Sequence, residues 1–281
     1  MGEVSQDIVS MVERMPAFSM TVQRVLELTS DINSDPKDLV AVIEHDPVLI
    51  LKIIKLVNSP YFGLSQRITS VNHAVVHIGF NTVKNLALSA AAIGALPRKS
   101  EAGFDMDAFL LHSLATATIA KLFAKKLHIQ TKESFDYFLS GLLHDFGKIV
   151  FAHFMPFEFH KALLIAKEKE IPLHEAENEI FKINNTQIGS LLGEKWHLPS
   201  NMLESLKKHH YHDSGRLLLT DVVSAANEIS KELKIGAGGN NIVEKLPGEI
   251  INLFGADVKG IIAALGDVRA EVEKVMIFIT I

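Results

Sequence analysis

Glu133-Ser134-Phe135-Asp136-Tyr137-Phe138-Leu139-Ser140-Gly141-Leu142-Leu143-His144-Asp145-Phe146-Gly147-Lys148 carries both the folding pattern and the chemistry of this chain. Phe135, Phe138, Leu139 and Leu142 recur at intervals of three and four, which puts them on one helix face turned toward a core. The segment, read as a helix over about 133–144, ends in an adjacent imidazole and carboxylate, His144 and Asp145. Such a pair can hold one divalent cation when further donors converge on it. Gly147 is read as the left-handed residue that terminates the helix.

Outward from this stretch the helical period persists and the period-two alternation of strands is almost absent. Upstream, a long helix over about 105–127 carries Phe109, His112, Thr116, Ile119 and Phe123 at helical spacing. Near the start, Asp35-Pro36 and Asp46-Pro47 each supply an N-cap followed by a proline at the first helical position. The second of these helices turns Leu49, Ile53, Leu56 and Val57 inward and stops at Asn58-Ser59-Pro60, Ser70 caps another, and Asn81 caps the next. Downstream, helices are expected at about 157–169, 173–181, 185–195, 200–209 and 216–234; Gly236–Asn241 reads as a flexible loop, and two short amphipathic helices follow. The reading is all-α: an N-terminal helical lobe over 1–97, a second lobe over 98–235 and a C-terminal helical extension over 236–281. The polar connector Pro97–Gly103 is short, so the two lobes are expected to pack as one unit.

Composition narrows the chemistry. The chain has 281 residues and no cysteine, so it offers no disulfide, thiolate ligand or thiol nucleophile, consistent with a reducing compartment. A net charge of −5 without a dense basic block argues against nucleic-acid binding. The start lacks a basic segment followed by an apolar one, and no uninterrupted apolar run reaches the roughly 18 residues of a membrane span, so a cytoplasmic protein without membrane insertion is expected.

His112, His144, Asp145, His209 and His210 form the candidate metal set. Alone, His112 reads better as a satisfied core histidine, and the His144-Asp145 pair equally well as a helix cap; together with His209-His210, a common site is the better reading. His45-Asp46 serves as an internal control, because Pro47 follows at once and makes Asp46 a cap. Trp196 is read as a core anchor, and the remaining histidines, His174 among them, as surface or packing residues.

Several ordered motifs carry a family resemblance: Met15-Pro16-Ala17-Phe18, Ile43-Glu44-His45-Asp46-Pro47, Asn58-Ser59-Pro60-Tyr61-Phe62-Gly63, Ala74-Val75-Val76-His77-Ile78-Gly79, Trp196-His197-Leu198-Pro199 and His209-His210. Over roughly residues 15–250 the chain resembles HDOD (HD-related output domain) proteins. These are all-helical modules of bacterial signal transduction, related to HD hydrolases and to HD-GYP cyclic-di-GMP phosphodiesterases, and most act without catalysis. The resemblance implies an HD-domain-like multi-helical bundle. It also aligns His112, His144, Asp145, His209 and His210 with superfamily ligands, but Asn185 stands where relatives place a histidine and Asn227 where they place an aspartate, leaving two weaker amide donors. Asp221 is one candidate for a second carboxylate if the alignment is shifted there by a turn or more. The Gly-Tyr-Pro motif of HD-GYP enzymes is absent: His210 is followed by Tyr211-His212-Asp213-Ser214-Gly215.

The implied function is a non-catalytic regulatory module that binds a signalling partner protein or a nucleotide ligand. A divalent metal (Fe, Mn, Ni or Mg) is expected in two positions, one at His112, His144 and Asp145 and a weaker one completed by His209 and His210. The alternative is a metal-dependent phosphohydrolase of nucleotides or cyclic dinucleotides with His144 and Asp145 as catalytic candidates.

Overall fold

In the computed structural model, which describes residues 6–30, 35–97, 99–211 and 215–280, helices follow one another with no strand among those residues. The first lobe contains α1 (Gln6–Arg14), α2 (Met20–Ser30), α3 (Pro36–Glu44), α4 (Pro47–Val57), α5 (Val71–Ile78) and α6 (Phe80–Gly94). Next come α7 (Met106–Lys126), α8 (Thr131–Leu143), α9 (Gly147–Phe154), α10 (Pro156–Glu168), α11 (Leu173–Phe181), α12 (Asn185–Lys195), α13 (Ser200–Lys208) and α14 (Leu218–Glu232). The chain closes with α15 (Gly248–Phe254), α16 (Val258–Leu265), α17 (Val268–Val275) and a 3₁₀ turn over Met276–Thr280.

Local chemistry sets most boundaries. Asp35 accepts from the Lys37 amide at 2.8 Å and Asp46 from the Leu49 amide at 3.0 Å, each ahead of a proline that opens the helix. Ser70 caps α5, and Asp105 caps α7 through the Asp107 and Ala108 amides. Gly79, at φ 83°, joins α5 to α6 and stands at the N-cap of α6 in place of the expected cap Asn81, which lies inside the helix. Three α-helices, rather than two, follow the Gly236–Asn241 loop.

The largest departure from the sequence reading lies at the His-Asp pair. Gly147 does not end a helix in the left-handed region; it is the first residue of α9, a helix not anticipated from the sequence. His144 (φ −50°, ψ −39°) and Phe146 (φ −61°, ψ −19°) stay in the right-handed region, so the chain bends through the pair into a second helical segment. Glycine is required here for space. A Cβ on Gly147 would lie 2.0 Å from the Asn185 carbonyl oxygen and 2.7 Å from the Gly189 nitrogen, because α9 crosses α12 backbone to backbone.

α7 runs through the centre, packed by α8 and α14. By length and composition it could cross a membrane, but it is mostly buried within the protein, as expected of a core helix. The apolar core is continuous from Ile8 to Phe278. Across the lobes, Tyr61 of the first meets Phe138 on α8 and Phe278 of the terminal turn, with ring centroids 5.7 and 6.1 Å apart. Trp196 is buried, stacks on Phe18 at 4.5 Å and donates its indole N–H to the Pro16 carbonyl at 3.1 Å, so the end of α12 anchors the N-terminal segment. Each buried aromatic contributes about 1.5–3 kcal/mol, and several of them cross between the lobes.

Candidate metal centre

Asp145 lies wholly buried where α7, α8, α12 and α13 converge. Its Oδ2 faces Lys148 Nζ at 2.6 Å, His144 Nε2 at 3.2 Å and His112 Nε2 at 3.7 Å. Its Oδ1 faces Asn185 Nδ2 at 2.8 Å, His209 Nε2 at 3.5 Å and His210 Nε2 at 3.9 Å. The five residues of the candidate set thus meet around one carboxylate, and two overlapping groups, His112–His144–Asp145 and Asp145–His209–His210, could each hold an ion.

The far side of each ring fixes its orientation. His144 Nδ1 lies 2.8 Å from the Gly141 carbonyl oxygen, and His209 Nδ1 lies 3.0 Å from that of Leu206; both nitrogens must donate. His112 Nδ1 contacts Ser230 Oγ at 2.9 Å, and that hydroxyl spends its own proton on the Asn227 carbonyl oxygen at 2.9 Å. With the hydroxyl proton placed there, His112 Nδ1 donates to Ser230 Oγ. In their neutral forms, these three rings turn an Nε2 lone pair toward a carboxylate, and none of these nitrogens has a hydrogen-bond partner. Lone pairs facing a carboxylate repel unless a cation lies among them, so the donor set fits a divalent metal ion.

Burial lowers the His112 pKa to about 4 and pushes His209 and His210 down too, in the latter two against or alongside neighbouring charges. For Asp145, burial pulls upward, but the pull of the His144 ring in its cationic form and of the Lys148 ammonium outweighs it and holds the carboxyl well below its ordinary range. Glu177 is buried next to this centre and accepts from the Asn185 amide at 2.7 Å; burial raises its pKa to about 8.

The two asparagines have different places. Asn185, at the start of α12 behind the capping residue Asn184, donates its amide to Asp145. Asn227 donates to Glu228 Oε1 at 3.0 Å, within a polar cluster that includes Lys231. Asp221 is engaged by the Arg216 guanidinium. His212, Asp213 and Ser214 lie outside the described residues.

Lys148, Glu177, His174 and Glu244 were not singled out from sequence. The interval from Asp145 to Lys148, one helical turn, was the available signal for the lysine. Lys148 also donates to the Gly238 carbonyl at 2.8 Å, which ties the 236–239 strap over the centre. This strap is close-fitting: the Ala237 amide donates to the Ala108 carbonyl at 2.9 Å, and a Cβ on Gly238 would come within 3.1 Å of Asp145 Oδ2. Beyond the strap, Phe104, His160, Leu163, Ala237 and Ile242 line an open groove of about 760 Å³.

Residues 15–212 match the family model described as HDOD domain. A curated protein of Treponema pallidum (strain Nichols), itself uncharacterized, is 28% identical over 204 residues, or 73% of this chain and 38% of that protein. The chain thus spans well under half of that relative. Among solved structures, an HDOD domain protein of unknown function from Geobacter sulfurreducens has a TM-score of 0.72 at 20% identity, covering 98% of this chain and 96% of its own. A Shewanella amazonensis SB2B protein, provisionally named a phosphohydrolase, has a TM-score of 0.76 at 22% identity, covering 99% and 100%. At these identities the two structures establish a common fold.

Proposed function

The chain belongs to the HDOD domain family, and from that premise we propose that it is a non-catalytic regulatory module of bacterial signal transduction, working in the cytoplasm. In this reading a divalent ion held by His112, His144 and Asp145, with His209 and His210 on the second side, organises the pocket, and a signalling partner protein or a nucleotide ligand reads it out. When bound, such an ion would polarise oxygen ligands and neutralise negative charge. One observation carries the reading: the His-Asp pair is fully buried beneath the Gly238 backbone. Hydrolysis of a phosphoester needs an open coordination position at the ion, and the strap stands over Asp145 where a phosphate would have to approach.

Asn185 supports the same reading, since it spends its amide protons on the Asp145 carboxylate and adds no charge. The test is turnover of cyclic dinucleotides and nucleotides by the purified full chain with Mg, Mn, Fe or Ni supplied. No turnover above that of His144→Ala is expected; activity present in the wild type and lost in that variant would overturn the proposal.

A second reading, a metal-dependent phosphohydrolase, is favoured by the intact His112–His144–Asp145 group. The Shewanella protein's provisional name points the same way for that protein. It requires the 236–239 strap to lift, and the same assay decides between the two readings.

A further inference from the structure

His210 presents its two ring nitrogens to two different carboxylates. Nε2 lies 3.9 Å from Asp145 Oδ1, while Nδ1 lies 3.9 Å from Glu244 Oε2. His174, in the first turn of α11, stacks on His210 with centroids 4.2 Å apart and rings 18° from parallel, and its Nδ1 is 3.8 Å from the same Glu244 oxygen. We propose that His174, His210 and Glu244 form a further divalent-cation site beside the His-Asp centre, in which His210 offers the Nδ1 lone pair and keeps its one proton on Nε2, facing Asp145.

The spacing argues for an ion. Separations of 3.8 and 3.9 Å are too long for hydrogen bonds, yet two metal bonds of about 2.0–2.1 Å each span up to roughly 4 Å. Glu244 Oε2 is buried and has no hydrogen-bond partner, and the His210 side chain that faces it through Nδ1 is only 4% exposed. Lys231 is the nearby cation, but it is bound to Glu228 Oε1 at 2.8 Å and stands 3.8 Å from Glu244 Oε2. Glu228 thus neutralises Lys231, leaving the Glu244 charge to an ion.

Two imidazoles and one carboxylate form a borderline donor set that suits Zn(II) or Co(II) and leaves room for further ligands. The three residues come from α11, the end of α13 and the segment after the glycine strap, so an ion here pins residues 236–244 to the body of the protein. Occupancy would hold shut the cover of the His-Asp centre.

The experiment is a Co(II) titration of the chelator-stripped full chain, reading bound equivalents by equilibrium dialysis and visible absorption. Glu244→Gln and His174→Ala are each expected to lose one equivalent while keeping the equivalent that His112→Ala loses, and to lose the Co(II)-dependent slowing of hydrogen exchange across 236–244. An unchanged stoichiometry in both variants overturns the site, as does a single equivalent lost alike in all three, which would mean one merged centre. If only the Glu244-sensitive equivalent exists, this site stands and the metal reading of the His-Asp centre fails. Circular dichroism verifies folding, and His174→Gln supplies the same readout should one variant not fold.

Discussion

Lys148 Nζ lies 2.6 Å from Asp145 Oδ2 and 2.8 Å from the Gly238 carbonyl oxygen, so one ammonium joins the buried carboxylate to the strap that covers it. The lysine is a resident cation on one edge of Asp145, while the imidazoles approach from other directions. Removing one partner of a buried pair costs about 3–5 kcal/mol, because the other charge is left uncompensated. Lys148→Met is therefore expected to lose stability of that order without metal and to recover much of it when Mn(II) or Co(II) is added. Thermal unfolding with and without chelator checks this. An equal loss under both conditions would show that the lysine and the ion do not share the carboxylate.

The crossing of α9 over α12 yields a second expectation. A methyl group at Gly147 would overlap the Asn185 carbonyl, whereas one at Gly248, at the start of α15, meets nothing within 4 Å. Gly147→Ala is expected to cost at least the roughly 1–3 kcal/mol of an overpacked core, with Gly248→Ala near neutral. Urea denaturation measures both. Because Asn185 sits on the pushed helix and holds Asp145, metal affinity should fall with the first variant as well.

Most of the fold was legible because its boundaries are local. Asp35, Asp46, Ser70 and Asp105 each cap a helix through an amide two or three residues on, and such signals are written within a few positions of sequence. What escaped depends on distance in space. Gly147 looked like a terminator, since glycine ends helices when its φ is positive; here it serves a backbone contact with a helix about forty residues later, which no local pattern encodes. The unforeseen α9 follows from the same misreading. Within the site, the histidine doublet and the His-Asp pair stood out by type and adjacency. Glu244 and His174 are single residues brought together by tertiary packing, and Glu177 is recognisable only by its burial.

Away from the site, Lys121 lies over the Tyr61 and Phe135 rings, 4.0 and 4.9 Å from their centroids. Burial, against the opposing pull of Glu271, lowers its pKa to about 8 from an ordinary value of 10.5. Between those values the unfolded chain binds more protons than the folded one, so this residue makes stability rise with pH from about 8 to 10.5. Below that window both states are protonated and the cost of burying the charge is fully present. Lys121→Met should remove this rise, making the variant's advantage over wild type largest near neutral pH and smaller toward pH 10. Urea unfolding at several pH values tests it; parallel curves for the two proteins would count against the assignment.

The last expectation concerns removal of the ion from the His-Asp centre. Among the described residues one carboxylate, Asp145, faces His112, His144 and His209, and it already has Lys148 and Asn185 as hydrogen-bond donors at 2.6 and 2.8 Å. A site so short of negative charge should hold its metal at partial occupancy. The same two donors keep the carboxylate compensated when the ion leaves, and the surrounding apolar core is continuous without it. A chelator is thus expected to strip the metal while the protein stays folded with a lowered melting temperature. His144→Ala should reduce metal content and, once both proteins are stripped, respond no further to chelator. Unchanged metal content in that variant would place the ion elsewhere, and collapse of helical structure on chelation would mean that Lys148 and Asn185 do not suffice to hold Asp145 in the core.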